Sequence, residues 1–330
     1  MKRVTIYEVA KKANVSLATV SRVINGSNQV REDTQKKVKD AIEKLGYKPN
    51  AIAQGLALQK TTTIALVIPE ASFTYTGQLI NGIMDVSKIY KYNVILHTFS
   101  EGLSDINDLV ENIISSNADG VVIYTDKMRE KELELFNQYN IPVLVIGNKV
   151  SGPLISSVYV DFDKVVFDIC NRYLAKGLDN IAIIQDRKNE YSTDQLVSGA
   201  KRAFKGYGKE FDNYVIMEHE YRTSYSFFTN YFKTHRHDLI ICYRDSYSLA
   251  VINAARENNI QVPEDMEVIC IVDTKYNSMV RPQLSSFVIP SYDLGAVAMR
   301  VMTKMLKRET NFEKEIEFEY LFKERQSTKK

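Results

Sequence analysis

The sequence predicts a small all-α head followed by an α/β core of two doubly wound parallel-sheet lobes. Three observations carry that reading. Residues 1–60 hold twelve Lys/Arg against five Asp/Glu, a net of +7, while the whole 330-residue chain is only +2. The same stretch contains three amphipathic segments, each bounded by residues that start and stop helices. From Thr61 onward, short apolar β-rich runs alternate with amphipathic helical stretches, the pattern of parallel strands covered on both faces. A basic head on a mildly acidic body is the asymmetry expected where one end must neutralise phosphates.

The head reads as follows. Thr5-Ile6-Tyr7-Glu8 has the form of a capping box, and Ile6, Val9, Ala10 and Ala13 give the first helix one apolar face. Asn14 tolerates the left-handed conformation of a tight turn, Val15 plugs that turn, and Ser16 suits the N-cap of a second helix. The second helix, Leu17 to Asn25, buries Val20, Val23 and Ile24 and leaves Leu17, Ala18, Ser21 and Arg22 on the opposite side. Gly26-Ser27-Asn28 ends it, and a third helix runs from about Glu32 to Leu45, stopped by Gly46. Two short helices joined by a turn, with a third in support, make a helix-turn-helix, whose second helix fits the DNA major groove.

Val4-Thr5-Ile6-Tyr7-Glu8-Val9-Ala10, Val15-Ser16-Leu17-Ala18-Thr19-Val20-Ser21-Arg22-Val23-Ile24-Asn25 and Gly46-Tyr47-Lys48-Pro49-Asn50 together resemble the LacI family of bacterial repressors. The resemblance implies that Leu17, Ala18 and Arg22 face base edges. Arg22 is the natural guanine reader, because its fork matches O6 and N7 together, whereas Leu17 and Ala18 offer apolar contact to a thymine methyl. Thr5, Tyr7, Ser16, Thr19, Ser21 and Asn25 then position phosphates. Tyr47 reads equally as packing. A further short helix, Ala51 to Leu58, has too few residues to be stable alone in water. By the resemblance it folds when paired on DNA and wedges Leu56 into the minor groove.

The core runs include Ile64–Ile68, Val94–Leu96, Val121–Tyr124, Val143–Ile146, Ile181–Ile184, Leu239–Cys242 and Val268–Val272. The helical stretches between them include Gln78–Tyr90, Ile106–Ser115, Lys131–Tyr139, Lys164–Lys176, Asp194–Lys205 and Tyr247–Asn258. These units are too many for one compact sheet, so two lobes are expected, similar to the periplasmic-binding-protein-like core of LacI-type repressors. The expected division is a helix-turn-helix domain over 1–48, a hinge helix and linker over 49–60, and a regulatory and dimerisation core over 61–330. Within that core, lobe one takes about 61–160 and 290–322, and lobe two takes 161–289 and 323–330. Val160-Asp161 and Phe287-Val288-Ile289-Pro290 are the expected crossings.

No amino-terminal signal and no apolar run near eighteen residues is present, which predicts a cytoplasmic chain with no membrane partner. Cys170, Cys242 and Cys270 lack metal-ligand spacing and read as reduced, buried side chains. His235 and His237 lie in a polar stretch and read as surface residues. No cofactor or metal is expected. A Gly-rich phosphate loop, a nucleophile elbow and paired catalytic carboxylates are all missing, so the chain does not read as an enzyme. A solute-binding transport protein shares the core architecture, but the basic head argues against it.

What the core senses is implied by further likeness. Met279-Val280-Arg281-Pro282-Gln283-Leu284-Ser285-Ser286, the stretch Pro290–Arg300 and Ile89–Leu96 resemble the branch of the family concerned with carbon catabolite repression. Members of that branch use serine-phosphorylated HPr, a phosphocarrier protein, as corepressor. Along an expected helix from Tyr292 to about Lys307, Arg300, Lys304 and Arg308 recur every four residues as a basic stripe suited to a phosphoserine. Carried across, the partner's face comprises Tyr90, Tyr92, Tyr292, Asp293, Arg300 and Lys304. The alternative is a merely solvated basic face. A repressor controlled by a small sugar or phosphosugar is the runner-up, with Thr193, Asp245 and Asp273 in the inter-lobe cleft. Sugar-responsive relatives usually carry arginine at the position of Thr193, so a monosaccharide is expected to bind weakly or not at all, while a phosphosugar held by Arg244 stays open. Asp245 and Asp273 read equally as helix-capping or strand-end residues.

Overall fold

The computed structural model describes residues 4–24, 26–27, 29–47, 61–69, 76–99, 106–125, 130–186, 190–217 and 221–329. The chain divides into two compact units, 1–62 and 63–330.

The head contains α1 (Ile6–Ala13), α2 (Leu17–Ile24) and α3 (Glu32–Leu45). The Glu8 carboxylate closes the first turn of α1 by accepting from the Thr5 N–H at 2.7 Å and from the Thr5 hydroxyl at 3.0 Å. Asn14 ends α1 in the left-handed region at φ 54°, and Gly46 ends α3 there at φ 60°. Val9, Val20 and Val38, one from each helix, are fully buried against one another's neighbours. Each such valine contributes roughly 1.5–3 kcal/mol by leaving water.

In the core, β1 (Thr63–Pro69), β2 (Asn93–Phe99), β3 (Gly120–Thr125), β4 (Val143–Gly147), β5 (Ile155–Tyr159) and β11 (Glu315–Glu317) form one sheet in the order β11-β5-β4-β3-β1-β2. A second sheet repeats that order as β12-β10-β9-β8-β6-β7. Its strands are β6 (Ile181–Asp186), β7 (Tyr214–Met217), β8 (Leu239–Cys242), β9 (Glu267–Cys270), β10 (Ser285–Val288) and β12 (Leu321–Lys323). All named pairings are parallel except that of β12 with β10. The covering helices are α4 (Thr76–Tyr90), α5 (Ile106–Ser115), α6 (Glu130–Gln138), α7 (Phe162–Leu174), α8 (Glu190–Gly206), α9 (Tyr221–Tyr231), α10 (Asp245–Glu257), α11 (Lys275–Met279) and α12 (Ser291–Leu306). The helices bury both sheet faces, which is why the strands read as unbroken apolar runs.

The chain crosses from the first sheet to the second between β5 and α7, where the Asp161 carboxylate caps α7 by accepting from the Lys164 N–H at 3.0 Å. It returns after β10 into α12, which packs on α4. The last crossing comes earlier than the sequence suggested. Leu321 and Phe322, expected in lobe one, pair with β10 in the second sheet, where the Phe322 ring lies 4.9 Å from that of Phe287. No helix among the described residues is long and apolar enough to cross a membrane.

One buried group was misread from sequence. His237 is only 6% exposed. Its Nδ1–H donates to Asn180 Oδ1 at 3.0 Å, and its Nε2 accepts from the Tyr231 hydroxyl at 2.9 Å. Both nitrogens are thus matched to the neutral ring, and burial lowers its pKa from 6.5 to about 4. A polar local sequence hid this, because Asn180 comes from a distant part of the chain and only Tyr231 is near in sequence.

The unfolded chain takes up this proton near pH 6.5 and the folded one near 4, so stability is whole above the first value and falls as pH drops toward the second. Thermal melts should lose about 1–3 kcal/mol across that window. His237→Asn should be less stable at pH 7 and show a flatter profile between those limits. An equally steep profile in the variant would locate the titration elsewhere.

Candidate nucleic-acid interface and regulatory surfaces

The reading face is made by local rules. Ser16 Oγ accepts from the Thr19 N–H at 3.2 Å and lies 2.8 Å from the Thr19 hydroxyl, fixing the first turn of α2. Val20 and Val23 then face the head's core, and the helical period turns Leu17, Ala18 and Arg22 outward. Leu17 is 37% exposed and Tyr7 69%, so both are open to solvent on the head's surface. Thr5 and Ser16 are exposed, whereas Thr19 and Ser21 are half-buried. Of the predicted set, Thr5 and Tyr7 lie at the start of α1, Ser16 to Thr19 at the start of α2, and Ser21 and Arg22 in the second half of α2. Asn25 and Leu56 lie outside the described residues, as does the whole expected hinge helix.

A second surface is built by α4 and α12. A Cβ on Gly82 would sit 2.0 Å from the Tyr292 carbonyl oxygen, and one on Gly295 would sit 2.1 Å from that of Leu79. Only glycine permits this backbone contact, and it fixes the rotation of both helices. Tyr90 and Tyr292 are each 40% exposed, and Asp293, Arg300 and Lys304 are exposed with them. Tyr92 is half-buried and packs into the core of the first sheet. The Tyr292 hydroxyl donates to Asp85 Oδ2 at 3.2 Å, while Lys88 Nζ donates to Asp85 Oδ1 at 3.0 Å. Lys88, and after it the Tyr292 hydroxyl, hold the Asp85 carboxyl below the usual carboxylate range.

The basic stripe differs from its sequence form at one end. α12 stops at Leu306 and Arg308 has φ 58°, so Arg308 leaves the helical register of Arg300 and Lys304. Lys307 stands there instead, its Nζ 5.1 Å from the centre of the Tyr90 ring. Asp85 and Lys307 carried no sequence signal, because both matter through contacts between distant segments.

The three cleft candidates are all tied into the lobe. Thr193 is fully buried within α8. Asp245 opens α10, its carboxylate accepting from the Ser246 N–H at 2.7 Å and the Thr274 hydroxyl at 2.6 Å. Asp273 accepts from the Arg325 guanidinium at 2.8 and 3.0 Å and from the Ser286 hydroxyl at 2.7 Å. Arg325 also donates to the Leu284 carbonyl and the Ser286 hydroxyl, so one guanidinium pins the tail beyond β12 to the start of β10 and to the segment that follows β9. Asp245 is the first residue of α10, whose N-cap is Arg244, and Asp273 lies just beyond β9.

Comparison with known proteins is consistent across the chain. Residues 5–50 match the model for bacterial regulatory proteins of the lacI family, and residues 170–328 match the periplasmic binding protein-like domain. The chain is 37% identical to catabolite control protein A of Priestia megaterium over 331 residues, 99% of each chain. It is 34% identical to that of Staphylococcus xylosus over 308 residues, 93% of each. In fold it is similar to the lac repressor dimer bound to operator and the anti-inducer ONPF, with TM-score 0.86 and 19% identity over 99% of both chains. It is also similar to the transcription regulator CcpA of Lactococcus lactis, with TM-score 0.69 and 24% identity over 81% of this chain and 99% of the other.

The Arg325 side chain is 7% exposed and that of Asp273 17%. Arg325→Ala, which strands a buried carboxylate, should lower unfolding free energy by about 3 kcal/mol in urea titrations. Arg325→Lys should recover only part of it, since an ammonium cannot reproduce the paired fork. A loss below about 1 kcal/mol would mark the pair as solvated.

Proposed function

The chain belongs to the LacI family of bacterial regulatory proteins, and from that premise we propose that it is a homodimeric regulator of carbon catabolite repression. It binds a pseudo-palindromic operator and tightens when HPr phosphorylated on serine docks on the core. That the chain is a DNA-binding transcriptional regulator follows from the family itself. The finer reading is carried by one observation, the exposed face shared by α4 and α12. There Arg300 and Lys304 stand clear of any ion pair among the described residues, beside Tyr90, Tyr292 and Asp293. A phosphoserine offers three acceptor oxygens and nearly two negative charges, which such a face can receive by charge-assisted hydrogen bonds.

Dimerisation is supported by the sheet edges. β2 ends the first sheet and exposes Ile95 and Leu96, and β7 ends the second and exposes Tyr214 and Ile216. Uncovered apolar edges invite pairing with other chains, and a second copy would cover both at once. Two heads held by one dimer match an operator whose half-sites are related by the same two-fold axis. The runner-up, control by a small sugar in the cleft, has less support, because the Asp273 carboxylate is already bound by Arg325.

At the head, Arg22→Ala should weaken specific operator binding by about 1–3 kcal/mol in gel-shift titrations and leave binding to random duplex nearly unchanged. Equal losses on both duplexes would reassign Arg22 to phosphate contact.

At the core, phosphorylated HPr should strengthen operator binding by the unaltered protein. Arg300→Ala should remove most of that gain without altering affinity measured in the partner's absence. A gain that survives the substitution would move the docking face elsewhere.

A further inference from the structure

The second lobe contains a groove that neither the reading face nor the docking face uses. It lies between α7 and the tail that follows β11, with a volume of about 250 Å³. Its floor is apolar, with Val165, Ile169 and Phe287 all buried. One wall is aromatic: Tyr320 and Phe322 stand with ring centres 5.5 and 4.9 Å from that of Phe287. The rim is cationic. Arg172 and Lys176 lie one turn apart near the end of α7, and Lys329 reaches in from the tail. None of these three forms an ion pair among the described residues. The Arg172 guanidinium lies 5.6 Å from the Phe322 ring centre, and Lys176 Nζ lies 6.0 Å from that of Tyr173. Two of the cations are therefore held against aromatic faces at the groove. Of the acids, Asp168 already accepts from the Tyr320 hydroxyl at 3.0 Å, and Glu324 is outnumbered on the rim.

We propose that this groove binds a small aromatic anion, a ring-bearing phosphate or carboxylate. Its ring lies on Phe322 and Tyr320, and its anionic group meets Arg172, Lys176 and Lys329. The volume is below that of sites for drug-sized ligands and admits one or two rings with a single charged group. Neither Thr193 nor Asp245 lines it, so the site is separate from the inter-lobe cleft candidates. Its position also suits control. Phe287 directly precedes one crossing between the sheets, Tyr320 lies on another, and Val165 is in the first turn after the third. A ligand that prefers one arrangement of the lobes shifts their equilibrium by the ratio of its two affinities.

The test is calorimetry of the full chain with 1-naphthyl phosphate as probe and inorganic phosphate as comparison. One probe should bind per chain, roughly tenfold or more tighter than inorganic phosphate, because the ring adds contact the ion cannot make. Arg172→Gln combined with Lys176→Gln, both at exposed positions that leave folding intact, should weaken the probe by roughly tenfold or more. Phe322→Ala should weaken it comparably, and Asp245→Asn should leave it unchanged. No saturable binding overturns the proposal, as does equal affinity for inorganic phosphate. Loss of binding in Asp245→Asn with retention in the groove variants would place the probe in the cleft and overturn it equally. None of these outcomes bears on operator recognition or on the HPr reading.

Discussion

The close approach of α4 and α12, made at Gly82 on one helix and Gly295 on the other, is the constraint on which the first lobe and its outer surface depend. α12 arrives only after the chain has built all but the last strand of the second sheet, so nothing local in sequence aligns it with α4. Two missing Cβ atoms do so instead, letting backbone meet backbone where a methyl group would lie within 2.1 Å of a carbonyl oxygen. At that separation neither helix can rotate without a clash, and the outward faces of both are set together. Tyr292 then reaches Asp85 and Lys307 reaches Tyr90 without either helix containing the whole arrangement. Because α12 begins directly after β10, a partner that pulls on this face pulls on a strand of the second sheet as well. A docking surface placed here is mechanically connected to both lobes.

Legibility from sequence follows the range of the forces involved. The head was readable almost to the residue, since its boundaries rest on Thr5, Asn14, Ser16 and Gly46, each acting within one turn of helix. The central strands were readable because burial on both faces leaves a continuous apolar run. β5, Ile-Ser-Ser-Val-Tyr, was not, since its serines are fully buried yet look like a loop. α9 was missed for a related reason. Its Tyr, Thr and Phe residues are indifferent helix formers, and packing of Phe228 beneath α10 decides the matter. The site residues divide in the same way. Leu17, Ala18 and Arg22 are placed by one helix alone, whereas the Asp273–Arg325 pair spans 52 residues and has no local signature.

The distribution of charge separates the two regulatory readings more sharply than the motifs do. In the second lobe the carboxylates that resemble ligand-binding groups are turned to internal work, Asp245 at the start of α10 and Asp273 on Arg325. A ligand entering there would have to displace a two-point guanidinium contact already shielded from water, and a neutral hydroxyl offers a weaker bond in exchange. On α12 the reverse holds. Arg300 and Lys304 are exposed and without ionic partners among the described residues, so an incoming phosphate need displace only water. The cheaper desolvation lies at the surface, and that asymmetry is what supports the proposed protein partner over the runner-up sugar.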